Sequence, residues 1–214
     1  MALGPEPRVA QAQVGVERID EGLRSYLLQV YNYMGLGLAI TGAVAFLVAV
    51  TPALYVPIFT TPLKWVVMLA PLGFVFFLGA KIQTMSVSAA QITFWAFAAV
   101  MGLSMASIFL VFTGESIARV FFITAAMFGA MSLYGYTTKR DLSGWGSFLF
   151  MGLIGVLVFT GLTAYDTQRI KEMYYELDAA DVATRKAIMG ALSLYLDFIN
   201  MFVMLLHLFG ATRE

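Results

Sequence analysis

The residue with the clearest chemistry in this chain is Asp197. It stands eleventh in the 24-residue apolar run 187–210, near the middle of a stretch long enough to cross a bilayer. A carboxylate at that depth costs on the order of 3 kcal/mol by insertion scales, so it is expected to face a bundle interior or a wet cavity. Ser193, four residues earlier, and Asn200, three residues later, share its helical face and give a polar stripe on an otherwise apolar helix. Asp166 ends another apolar run, in Ala164-Tyr165-Asp166-Thr167-Gln168. It reads either as an interfacial residue or as a partner for Asp197. Two carboxylates about 4 Å apart at an effective dielectric of about 20 repel by about 4 kcal/mol when both are charged. Such a dyad would share one proton and respond to pH without histidine. The competing structural reading of Asp197 is a protonated side chain bonded to a neighbouring helix.

The elements that must position these groups are membrane spans. Of 214 residues, 60% are hydrophobic and 12% charged, about half the charge that a soluble domain carries. Thirteen Lys/Arg balance thirteen Asp/Glu, so no basic excess points to nucleic acid. Cysteine is absent, which excludes a disulfide scaffold and a thiolate metal site. Crossing about 30 Å of hydrocarbon takes roughly 20 apolar helical residues, because lipid offers the backbone no hydrogen bonds. Six runs qualify: 26–50, 64–80, 87–112, 117–136, 145–165 and 187–210. The expected fold is therefore an all-α integral membrane protein, a polytopic helical bundle. A polar cytoplasmic tail at 1–24 would precede one transmembrane domain at 25–214. The first apolar run is longer than the core of a signal peptide, so it is expected to stay as a span.

Lys and Arg near the span ends set the orientation. Arg8, Arg18, Arg24, Lys81, Lys139 and Arg140 fall on one side, against Lys64 and Arg119 on the other, which predicts a cytoplasmic N-terminus. Small residues within the runs, such as Ala125 with Gly129 and Gly152 with Gly155, are expected to let helices pack closely. Glu115 and Arg119, four apart at a helix start, should form an interfacial pair. A single His207 near the end of the last run reads as a packing or interfacial residue. There is no phosphate-binding loop, dinucleotide fingerprint or His/Cys cluster, so no cofactor is expected.

The run Leu194-Tyr195-Leu196-Asp197-Phe198-Ile199-Asn200, followed by Leu208-Phe209-Gly210, resembles the end of the Bax inhibitor-1 family in its bacterial YccA-like branch. The stretches GLTAYDTQ at 161–168, MFGAMSLYGYTTKRDL at 127–142 and QVYNYM at 29–34 fit the same family, so the resemblance covers nearly the whole chain after about residue 20. It implies a helical protein of the bacterial inner membrane, usually of seven spans. The implied activity is a pH-sensitive calcium leak with no resident cofactor, calcium binding only weakly and in transit. Asp166 and Asp197 match the paired aspartates that would gate it. A basic residue beside the dyad would latch the closed state, and Lys81 and Arg169 are the candidates on position alone.

One departure affects the mechanism. The family places two spans between the TTKRDL loop and YDTQ, whereas here only residues 144–165 lie between them, enough for one. If that run crosses, the 166–186 loop falls outside and Asp166 lies about 15 Å from Asp197, half a bilayer away. A re-entrant bend near Gly152–Gly155 would instead keep the loop cytoplasmic and the dyad intact. Two other function classes stay open. A non-transporting partner of other membrane proteins or proteases is compatible with the resemblance. The two aspartates also resemble those of intramembrane aspartyl proteases. However, the Gly-x-Gly-Asp motif is replaced by Leu194-Tyr195-Leu196-Asp197, and Pro52-Ala53-Leu54 lies in the wrong part of the chain. An enzyme is not expected.

Overall fold

The computed structural model describes residues 7–139 and 155–213, with only the backbone described for residues 7–20. Among them are seven α-helices: α1 (Pro7–Ala49), α2 (Pro52–Thr60), α3 (Leu63–Lys81), α4 (Val87–Val111), α5 (Gly114–Thr137), α6 (Gly155–Glu172) and α7 (Ala180–Phe209). Local chemistry sets several of the boundaries. Pro52 starts α2 after an extended Thr51, where its missing N–H costs nothing. The Ser86 and Thr113 side chains cap α4 and α5 by accepting from Ala89 N and Ser116 N, each satisfying an orphan donor of the first turn.

Five helices are long and apolar enough to cross a membrane: Glu21–Ala49, Leu63–Lys81, Val87–Val111, Gly114–Thr137 and Ala180–Phe209. They coincide with five of the six apolar runs. The remaining run, 145–165, falls largely outside the described residues, and α6 contains its end. No break in the backbone marks the expected boundary at 24/25, because α1 runs through it.

The bundle is built around α7, which packs on α1, α4, α5 and α6. Two-thirds of its most apolar window is buried (67%), against 17–33% in the other spans. The others turn apolar side chains to lipid, as Phe76, Ile92, Phe122 and Leu133 show. Where helices meet most closely, glycine is at the contact. A Cβ on Gly102 would lie 2.7 Å from the Thr41 carbonyl oxygen of α1, and one on Gly135 would overlap the Ala164 carbonyl of α6. Of the small pair expected to pack, Ala125 lies against the core but Gly129 makes no close crossing. Gly129 has open space where a Cβ would sit, so lack of a side chain alone did not mark a contact. Gly152 lies outside the described residues.

Contacts between helix ends order the faces. At one end, the rings of Tyr26 and Tyr174 lie 5.6 Å apart, Gln29 Nε2 donates to Thr184 Oγ1, and Arg185 Nη1 donates to the Met85 carbonyl. Lys171 Nζ donates to the Tyr136 carbonyl at the same end. At the other end the chain pairs Phe112 with Thr212 in an isolated antiparallel bridge, and Arg213 N donates to the Val111 carbonyl. The α6–α7 loop therefore lies on the face where α1 begins its apolar stretch. Antiparallel packing of α6 on α7 follows, with Ile170 against Gly190 and Thr160 Oγ1 3.5 Å from Met201 Sδ. The topology that sends residues 166–186 to the opposite face is thereby overturned. Hydropathy along one run carries no information on direction; contacts with distant helices supply it. The re-entrant bend itself lies outside the described residues.

Candidate functional site

Asp197 is buried, 6% exposed, on the central helix, and its Oδ2 has no hydrogen-bond partner among the described residues. Burying a carboxyl oxygen without a partner costs free energy that a purely structural residue would not need to carry. Asp166 lies on α6, the antiparallel neighbour, one turn before Ile170, which packs on Gly190. It is half-buried. The two aspartates predicted to form a dyad thus occupy facing helices at comparable depth.

The supporting residues are placed differently. Ser193 is half-buried, while Asn200 is exposed, so the polar stripe runs outward from Asp197 instead of closing around it. Of the two latch candidates, Arg169 is one turn from Asp166 on the same helix and exposed; Lys81 is exposed at the end of α3. Glu115 and Arg119 form no ion pair; among the described residues the salt bridge is Lys186 Nζ to Asp178 Oδ2 at 2.5 Å. Both partners of the missing pair are exposed, where an ion pair gains little against side-chain entropy. His207 is exposed, with Nδ1 2.7 Å from the Val203 carbonyl and its ring edge-on to Phe112. That is the packing role expected. No group of three His, Cys, Asp or Glu among the described residues is arranged to hold a metal ion.

Sequence reasoning missed a buried hydrogen-bond chain on the far side of α7 from Asp197. Thr41 Oγ1 donates to the Ala98 carbonyl at 2.8 Å and lies 2.6 Å from the Tyr195 hydroxyl. Threonine has one hydroxyl proton, and the carbonyl can only accept, so Tyr195 must be the donor to Thr41. Tyr195 is fully buried between Phe94 and Phe97, with ring centroids at 6.4 and 5.3 Å. Two residues on a helix are about 200° apart, so this anchor holds the side of α7 opposite Asp197. It thereby ties α1, α4 and α7 together at one depth and fixes which way the aspartate points. The available signal was a tyrosine hydroxyl inside an apolar run, where lipid cannot satisfy it. A second such link joins Thr167, next to Asp166, to Ser132 of α5 at 3.5 Å.

Comparison with known proteins adds an independent finding. The chain matches the family model described as "Inhibitor of apoptosis-promoting Bax1" in two stretches, residues 23–158 and 152–214. It is 44% identical to inner membrane protein YbhL of Escherichia coli K12 over 219 positions, covering 90% of this chain and 94% of YbhL. It is 42% identical to RP147 of Rickettsia prowazekii (91% and 93% covered) and 35% identical to a protein of Borreliella burgdorferi (88% and 93%). Since 90% of 214 residues is about 193, about 26 of the 219 positions compared with YbhL have no residue in this chain. That is the length of one membrane span. Both family matches cover residues 152–158. With the matches together spanning residues 23–214, this multi-pass inner membrane protein belongs to the Bax inhibitor-1 family.

Proposed function

We propose that the chain is a proton-regulated cation leak of the inner membrane, gated by Asp166 and Asp197, with calcium among the ions it passes. The observation that carries this reading is the Asp197 carboxyl, unpartnered and buried in the central spanning helix, with a second carboxyl on the facing helix. With one proton shared, the dyad is uncharged on one side and the interior stays closed. Loss of that proton adds a negative charge beyond the one Arg169 can balance, which favours a cation in the path. Calcium takes six to eight oxygens, and two carboxyl groups supply only part of that shell, so water completes it and binding is weak enough for release. Arg169, close to Asp166, is the residue to latch the closed state.

The N-terminal face is the cytoplasmic one in this reading. Among the described residues it holds Arg24, Lys81, Lys139, Arg169, Lys171, Arg185 and Lys186, against Lys64, Arg119 and Arg213 towards the opposite face, as the positive-inside rule expects. The chain is not an enzyme in this account. The alternative is a non-transporting partner of other membrane proteins or proteases. Calcium uptake by dye-loaded liposomes separates the two. Uptake above that of empty liposomes, altered by Asp197→Asn, supports the leak. Uptake equal to empty liposomes at every pH from 6 to 8 sinks it and leaves the partner protein.

A further inference from the structure

Because α1 packs on α4 and α7 while α5 packs on α6 and α7, a gap of about 460 Å³ opens between α1 and α5. Leu27, Leu28, Phe128 and Leu133 give it apolar walls, and Arg24 and Tyr136 stand at its end nearest the N-terminal face. From Phe128 to Tyr136 the helix rises about 12 Å, most of the roughly 15 Å of hydrocarbon in one leaflet. Gly129 faces the crevice with nothing within 4 Å of where a Cβ would sit.

Arg24 is the cation of the lining, and Lys171, outside the lining, adjoins it through Tyr136. Arg24 is exposed, and no hydrogen bond or ion pair among the described residues involves it. The Lys171 ammonium sits 5.2 Å over the Tyr136 ring and gives one N–H to the Tyr136 carbonyl at 3.1 Å. Its remaining donors are free to meet an anion. We infer that this crevice is a binding site for one anionic phospholipid of the leaflet on the N-terminal face. The acyl chain lies along Phe128, Gly129 and Leu133, and the headgroup phosphate sits between Arg24 and Lys171. Basic pockets between spanning helices take acidic headgroups in this way. A zwitterionic headgroup brings its own cation and gains less from the same two side chains. Ser132 lines the inner wall and touches Thr167, the neighbour of Asp166, so the lipid would rest against the helix contact behind the dyad. The site stands whether or not ions pass.

The test is native mass spectrometry of the full chain, purified with equal amounts of phosphatidylglycerol and phosphatidylcholine. The wild type should retain one phosphatidylglycerol in preference to phosphatidylcholine. Arg24→Gln and Lys171→Gln should each cut that preference about fivefold. Gly129→Leu, whose Cβ would meet nothing within 4 Å, should lose retained lipid of both kinds while eluting as the wild type does. Equal retention of both lipids by the wild type overturns the inference. So does no retention of either, or phosphatidylglycerol held undiminished by Gly129→Leu.

Discussion

Helices α3 and α7 are both apolar enough to span the bilayer, yet one faces lipid and the other is the centre of the bundle. In α3 only 17% of the best apolar window is buried, and Trp65, Val66, Met68, Leu69 and Phe76 are all exposed. In α7 the figure is 67%, and the helix carries Asp197 and the Tyr195 hydroxyl inward. Hydropathy does not separate them, because lipid tails reward leucine as well as a protein interior does. Interior polar side chains separate them, since a hydroxyl needs an acceptor, whereas glycine alone does not: Gly73 and Gly79 of α3 have nothing within 4 Å of a Cβ. Stability in this molecule should therefore be sensitive at small and polar interior positions and indifferent on the apolar outer faces.

The largest effect should come from Gly135→Val. Its branched side chain would meet the Ala164 carbonyl backbone and push α5 off α6, costing about 3 kcal/mol or more. Loss of a monodisperse peak in size-exclusion chromatography checks it. Gly129→Val, in open space, should behave as wild type. If the two valine variants are equally stable, the close crossing is wrong.

Next is the antiparallel α6–α7 contact. The chain has no cysteine, so Ile170→Cys with Gly190→Cys gives a clean cross-linking background. A disulfide should form under mild oxidation, seen as a mobility shift on a non-reducing gel, because a Gly190 Cβ would lie 3.1 Å from Ile170. No cross-link would return the α6–α7 loop to the opposite face.

Tyr195→Phe keeps the ring between Phe94 and Phe97 and removes one hydroxyl. Interhelical hydrogen bonds in membranes are worth about 0.6–1.7 kcal/mol, so thermal unfolding in detergent should show a loss of that size. Thr41→Val should cost a similar amount, and the double variant little more than either single one. Full additivity would mean that the hydroxyls do not act as one chain. The smallest effect belongs to the lipid face: Phe76→Leu or Val66→Ala should change stability by less than about 0.5 kcal/mol.

The spans and the buried carboxyl of Asp197 were legible in the sequence because each depends on one segment's own composition. Twenty apolar residues cannot do much else, and a carboxylate in their midst stands out. What was not legible depends on a second segment. Thr41 is 154 residues from Tyr195, and nothing local to either names the other. Gly129 and Gly135 are both glycines in α5, yet one borders a crevice and the other a crossing. Asn200 shares the helical side of Asp197 by number, but no neighbouring helix covers it. The direction of α6 could be read only once its partners were known.

The central claim is that Asp166 and Asp197 act as one proton-sharing unit. Its most direct test is the pH profile of calcium leak in liposomes for the wild type, Asp166→Asn, Asp197→Asn and the double variant. Wild-type leak should rise from pH 6 to pH 8 as the shared proton leaves. Either substitution should flatten that rise, and the double variant should match the single ones. A wild-type profile in Asp166→Asn, with the response lost only in Asp197→Asn, would contradict the dyad and leave one buried carboxyl as the gate.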